Sequence, residues 1–387
     1  MNSNTGHLDY LDGIRAFAAF WVMVAHCMEW GGNHGIPIPN PRIAVNIFIV
    51  MSGFLMNYHF LLRSPEAASR NIPETVKFYI RRFFRIAPCY YLSLILAFFI
   101  LGNVHLNGYA VLRQANPAKF AHDVIYDPSY IHYTFSNLAA HLSFVFGSIP
   151  SYSFSTMLPD WSISLEMQFY LVFPLIYLLL RRGNYFPVVW TLIAVSFVLA
   201  ALFSRLPGIR PGAQGLFPEP SFFFANSILF LVGMMACDAT CDQSSSAGRR
   251  FVTGVTCVLA ASLSTWYYKG NILVVVLAAY LLLIDSRPLR TSKFAGWTRR
   301  LLGNRITKLG ADMSYSVYLF HGFFISHIGY YLFTMQRFGS LSPISRFFWL
   351  LAGVVISTCL FSILTHYSVE RPFIRVGKRI ADSFDGV

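Results

Sequence analysis

Arg15 and His26 are the first residues in this sequence whose types and spacing could do chemistry together. Both belong to an apolar run, 14–30, that reads as a helix. Each helical step turns the chain by about 100° and advances it by about 1.5 Å. Eleven steps return to within about 20° of the start, so the two side chains share a face, separated by about 16 Å along the axis. Ala18, Ala19 and Val22 lie between them on that face and leave a groove. A cation at the membrane edge, a narrow groove and a deeper imidazole would suit an extended phosphopantetheine arm, with phosphate at one end and a thioester at the other. Each residue also has a plainer use. Arg15 can snorkel to lipid headgroups, and His26 can hydrogen-bond a neighbouring helix.

The elements that must hold such residues follow from composition. The 387 residues are 55% hydrophobic and only 12% charged, with 7 Trp, 21 Tyr and 37 Phe, which is too little polar surface to solvate a globule and suits a lipid-facing protein anchored by aromatic rings. Apolar runs predict ten spans near 14–30, 43–62, 86–103, 161–180, 187–203, 221–238, 251–268, 271–285, 313–334 and 346–369. The fold expected is an all-α polytopic helix bundle, with a membrane domain over 1–373 and a short basic tail over 374–387. No cleavable signal peptide is expected, because Met1 to Asp12 has no basic start.

The net charge of +13 reports topology rather than nucleic acid. With the N-terminus inside, the inner segments hold 21 Lys and Arg and the outer ones 8. This is the positive-inside pattern, so both termini are expected in the cytoplasm, and the partner of the basic side is anionic lipid. The six cysteines mostly lie in apolar runs, which argues against a disulfide framework. Cys237 and Cys241 have weak metal-like spacing with no nearby His, so no metal is expected. The longest outer connection, about 104–160, carries Asp123, Asp127, His132 and His141 and is too long for a passive link. Within it, 135–149 is apolar but short and reads as an interfacial or re-entrant segment.

This topology places the remaining candidates. Arg81, Arg82 and Arg85 fall at the inner end of the third span, on the side of Arg15, where all four can face phosphate groups of a ligand or bind lipid headgroups. Arg82 and Arg85 share a helix face. Glu166 lies about one and a half turns below the outer surface, at a depth comparable with His26. It can orient His26 or stabilise its cation, or else bond hydroxyls within the bundle, and Glu29 is a rival for the first role. His321 sits near mid-membrane after Ser314, Tyr315 and Tyr318. It can bind a thioester, assist proton movement or simply be packed. Glu370 and Arg371 are expected to fasten the inner end of the last span by ion pairing.

The run LDYLDGIRAFAAFWVMVAH, Leu8 to His26, resembles the opening of the membrane acyltransferase 3 family, whose signature is a basic residue, ten intervening residues and a histidine. Similar segments follow in order: NIFIVMSGFLM at 46–56, FYIRRFFRIAPCYY at 78–91, DWSISLEMQFYLVFPLI at 160–176, SYSVYLFH at 314–321 and ERPF at 370–373. Asn46 departs from the pattern, which commonly has an acidic residue there.

The resemblance implies a multi-pass enzyme of the bacterial inner membrane, in the form without a fused extracellular hydrolase-like domain. It implies O-acyl transfer from acyl-CoA, acetyl-CoA by default, to a hydroxyl of a carbohydrate or glycolipid. On that reading His26, Glu166 and His321 are the catalytic candidates, and Arg15, Arg81, Arg82, Arg85 and Tyr315 hold the donor. A secondary transporter or flippase is the alternative, since intramembrane His, Glu and Arg also line transport paths. Neither internal repeats nor paired broken helices favour it.

Overall fold

A computed structural model describes residues 8–32, 40–62, 72–115, 131, 133–153, 155–156, 158–205, 221–266, 269–286, 289 and 291–385. Asp123, Asp127 and His132 lie outside the described residues. Among those described, the chain forms helices and no strand. The first two helices are α1, Asp9–Gly31, and α2, Pro41–Leu61. Next come α3, Ile72–Ile95, extended by a π turn at Leu96–Ile100, then α4, Gly102–Ala115, and α5, Phe135–Leu142. The middle of the chain supplies α6, Trp161–Arg181, α7, Tyr185–Arg205, α8, Phe223–Cys241, α9, Ala247–Ser264, and α10, Ile272–Leu283. The last helices are α11, Lys293–Leu302, α12, Arg305–Thr334, α13, Gln336–Gly339, α14, Pro343–Thr365, and α15, Arg371–Asp382.

Each of the ten expected spans coincides with a helix. Seven are long and apolar enough to cross a bilayer by length and composition: α1, α2, α3 with its π turn, α6, α7, α8, and α14 continued into α15. The helix α12 is long, at 30 residues, but carries the polar groups of the SYSVYLFH run. By contrast α5 has 8 residues, a length of about 12 Å, too short to cross. After it the chain turns through Phe144 at φ 61° and a 3-10 turn at Phe146–Ser148. Segment 135–149 therefore holds no helix long enough to span. Its Phe144 ring stacks on Tyr90 of α3, and its Phe144 carbonyl accepts a hydrogen bond from Ser164 of α6.

Local sequence explains the helix ends. Asn40 caps α2 by accepting from the Arg42 N–H at 2.8 Å, with Pro41 following where its missing donor is harmless. Asn304 likewise accepts from the N–H groups of Ile306 and Thr307 to start α12. At the other end of α1, Gly32 takes the left-handed conformation that closes a helix, φ 74°.

The centre of the bundle is the pair α2 and α8. In their apolar windows 72% and 78% of residues are buried, against 17% for α7 and 28% for the α14–α15 element, which therefore face lipid. Glycines make the central contact possible: a Cβ on Gly53 would lie 2.1 Å from the Phe230 carbonyl oxygen, and one on Gly233 would lie 1.9 Å from that of Val50. Backbone thus touches backbone. Asp9 of α1 meets Lys308 of α12 at one end and Trp30 meets Gly329 at the other, so these two helices run parallel. On the basic side, Arg181 bonds Asp238 and Asp242, and Arg299 bonds Asp285.

Glu370 does not pair with Arg371. Its carboxylate is buried, accepts a hydrogen bond from Ser316 at 3.1 Å and lies 3.4 Å from His366 Nδ1, while Arg371 sits over the Tyr367 ring. The inner end of the last span is fastened to α12 through a serine, because a buried carboxylate needs donors within the bundle.

Candidate active site

One cavity collects the motif residues from five helices. Arg15 enters from α1, Phe48 and Ser52 from α2, and Arg85 from α3. Ser162 and Glu166 come from α6, and Ser314, Tyr315 and Tyr318 from α12. The empty space among them is about 660 Å³ and opens to solvent. Arg15 stands 3.7 Å from Asp12 on its own helix. With Arg85 it gives the cavity two guanidinium groups, which lack any acceptor role and match phosphate oxygens in pairs.

The three arginines of α3 divide. Arg85 lines the cavity. Arg82 lies between the rings of Phe78 and Tyr170, 5.9 and 5.7 Å from their centroids. Arg81 bonds Asp382 of α15 at 3.3 Å and so points out of the cavity. Glu166 accepts a hydrogen bond from Ser52 Oγ at 3.1 Å and a short one from the Tyr170 hydroxyl. It therefore sits in the arginine half of the site, and the carboxylate against His26 is Glu29.

His26 Nδ1 is 3.0 Å from Glu29 Oε2, which holds the proton on Nδ1 and leaves Nε2 to act as a base. The His26 side chain is 26% exposed, enough for a reactant to reach it. Its ring stacks on that of His321, with centroids 5.4 Å apart and planes 20° from parallel. His321 is buried, and its Nδ1 donates to the carbonyl of Tyr318 at 2.7 Å. One helical turn earlier, the Tyr318 hydroxyl meets Ser162 Oγ at 2.8 Å and the Pro159 carbonyl. Tyr315 donates to the Ile86 carbonyl of α3 at 3.0 Å. The structure thus joins His26, His321 and Tyr318 in one group, and Arg15, Arg85, Glu166 and Tyr315 in the adjoining cavity that Tyr318 also lines.

The sequence motifs assigned no side-chain role to Ser52, Ser162 or Tyr170. The signal for Tyr170 was present, since it stands four residues after Glu166 on the same helix face. Asn46, the departure from the pattern, forms a buried hydrogen bond of 2.6 Å to Asn271, so a neutral amide pair ties α2 to α10 there. All six cysteines are free, and among the described residues no group of three His, Cys, Asp or Glu could hold a metal ion.

The family model described as an acyltransferase domain matches residues 8–366, from the start of α1 to the end of α14. The chain belongs to the acyltransferase 3 family. Relatives are remote in identity, and two of the three that follow align with nearly the whole chain. The Staphylococcus aureus (strain COL) protein named "Putative O-acetyltransferase SACOL0978" is 23% identical over 97% of this chain and 60% of its own length. The Bacillus subtilis (strain 168) "Putative peptidoglycan O-acetyltransferase YrhL" is 24% identical over 98% of this chain and 57% of its own. The Komagataeibacter xylinus "Putative membrane-bound transacylase BcsY" is 28% identical over 44% of this chain and 37% of its own. The chain spans about 60% of the length of the first of these relatives. No solved structure matches it.

Proposed function

We propose that this acyltransferase-family protein is an O-acetyltransferase of the bacterial inner membrane. Its donor is acyl-CoA, with acetyl-CoA the donor of choice, taken from the basic, cytoplasmic side. Its acceptor is a hydroxyl of a glycan or glycolipid, such as a peptidoglycan sugar, arriving from the opposite side. One observation carries the reading: a single cavity holds Arg15 and Arg85 and is also lined by Tyr318, which precedes His321 and the His26 stacked on it. The distance along α1 from Arg15 to His26, about 16 Å, suits a pantetheine arm.

In this mechanism Arg15 and Arg85 bind the phosphates of the donor. Glu166, held by Ser52 and Tyr170, balances their charge so that the empty site is stable. The acceptor hydroxyl gives its proton to His26 Nε2 as its oxygen bonds to the thioester carbonyl carbon. The tetrahedral oxyanion collapses, the carbon–sulfur bond breaks, and the CoA thiolate takes the proton back from His26. Glu29 stabilises the imidazolium in between. The Tyr318 O–H is committed to the Pro159 carbonyl, so the hydroxyl that can turn to the oxyanion is that of Ser162, released from the Tyr318 oxygen. Only the acyl group crosses the plane of the histidines; CoA stays on its own side.

The purified His26→Ala variant is expected to fold normally and lose at least about a hundredfold in acetyl transfer, with Glu29→Gln losing roughly tenfold to a hundredfold. Wild-type turnover in folded His26→Ala would overturn the catalytic assignment. Intact-mass measurement after rapid quenching also separates direct transfer, which leaves the protein unmodified, from an acyl-histidine intermediate.

A further inference from the structure

The connection between α4 and α6 carries a buried pair that the acyl-transfer mechanism does not use. His141 of α5 is fully buried, and its Nδ1 donates to the Asn137 carbonyl at 2.9 Å. In the neutral ring Nε2 is then an acceptor, and no hydrogen bond reaches it although it is shielded from solvent. What faces it is another acceptor, Asp160 Oδ2, at 3.4 Å, in a side chain that is also buried. Two bare acceptors in that position repel each other without compensation. A proton between them removes the conflict, whether written as a carboxylic acid donating to imidazole or as imidazolium beside carboxylate.

The same aspartate also ties α3 to the loop that leads into α6. Tyr90 of α3 donates to Asp160 Oδ2 at 2.9 Å, and Thr156 approaches the same oxygen at 3.4 Å. The preceding residue, Pro159, presents its carbonyl to the Tyr318 hydroxyl, and Ser162 two residues later bonds that hydroxyl too. We propose that His141 and Asp160 share one proton and act as positioning residues, locking α5 against the start of α6 so that Ser162 and Tyr318 stand correctly at the cavity wall. The functional consequence rests on the acyl-transfer reading; the shared proton does not.

Burial raises the Asp160 carboxyl from 3.8 to about 7 and lowers the His141 imidazole from 6.5 to about 4. The other titratable groups against the pair are Tyr90 and Tyr91 of α3 and Tyr318 of α12. The folded aspartate holds a proton that the unfolded one has lost between about pH 4 and 7, so this group alone makes stability fall as pH rises through that range. The folded histidine lacks a proton that the unfolded one holds between about pH 4 and 6.5, which makes stability rise there. The two slopes oppose each other below about pH 6.5, and what remains is a small loss between about pH 6.5 and 7 that is complete above that.

The test uses the full chain in detergent, with thermal unfolding followed from pH 5 to 8 and acetyl-CoA turnover followed by thiol release. Asp160→Asn keeps the neutral bonds, since its amide N–H groups can serve both His141 Nε2 and the Tyr90 oxygen. It is expected to retain turnover within about threefold of wild type and to lose the fall in stability near pH 7, whereas Asp160→Ala drops turnover about tenfold or more at nearly unchanged KM. Tyr90→Phe removes a donor to the charged carboxylate, so the midpoint of the fall should move to higher pH. An Asp160→Asn protein as impaired as Asp160→Ala, or a fall near pH 7 that persists in Asp160→Asn, would overturn the proposal. The unfolding arm needs no catalysis. A wild-type protein without acetyl-CoA turnover would count against the acyl-transfer reading and leave the shared proton to be judged by unfolding alone.

Discussion

At the scale of single residues, charge is held by partners that are themselves constrained. The three α3 arginines are close in sequence yet meet three surroundings: Arg81 an aspartate of α15, Arg82 two aromatic rings, and Arg85 the cavity. Their roles must differ accordingly. Arg85→Ala is expected to weaken CoA binding about tenfold to a hundredfold, the worth of one charge-assisted phosphate contact. Arg81→Ala should leave it unchanged, because that side chain is engaged elsewhere. CoA titration by thermal shift measures both; equal effects would mean that the cavity arginine is not the phosphate ligand.

At the scale of elements, the site depends on how closely helices approach. Ser52 reaches Glu166 from the residue next to Gly53, where α2 lies backbone to backbone on α8. A side chain at 53 has no flexible neighbour to displace, only the Phe230 carbonyl. Gly53→Leu is therefore expected to push α2 off α8, lowering stability by about 3 kcal/mol or more and breaking the Ser52 contact. Gly248→Leu, in α9 with nothing near its absent side chain, serves as the control and should be neutral or mildly stabilising. Comparable thermal unfolding of the two variants would contradict the close packing. The His26 to His321 stack has the same origin, since parallel packing of α1 on α12 brings the rings to one level.

At the scale of the whole molecule, charge asymmetry and helix order combine into one expectation. With Lys and Arg concentrated on one side, α11 should lie on that side and the turn after α12 on the other. In intact cells, with the partly exposed Cys241 and Cys359 replaced, a membrane-impermeant thiol reagent should label Ser340→Cys and spare Gly296→Cys. The reverse pattern would invert the topology and, with it, the side from which CoA enters.

Helix positions and the absence of a full span in 135–149 were legible in the sequence, because apolar run length against bilayer thickness decides what can cross and what cannot. That Arg15 and His26 stand eleven residues apart on one helix was legible too. The groove expected between them is filled, however: Ala18, Ala19 and Val22 are buried, and the cavity is lined by Arg15 and not by His26. Partnerships between helices were not legible. Composition could not say that Glu166 would take Ser52 and Tyr170 while Glu29 took His26, or that Glu370 would turn inward to Ser316. Depth along the membrane ranked Glu166 and His26 as neighbours, but the rotation of each helix about its axis and the approach allowed at Gly53 decide which side chains meet. Those quantities arise only when apolar faces pack against one another. The sequence by itself determined a basic-sided helical bundle with an arginine and a histidine on one ruler. The tertiary structure alone decided which carboxylate serves which cation, and brought a buried histidine of a connecting segment against the aspartate two residues before Ser162 of the cavity wall.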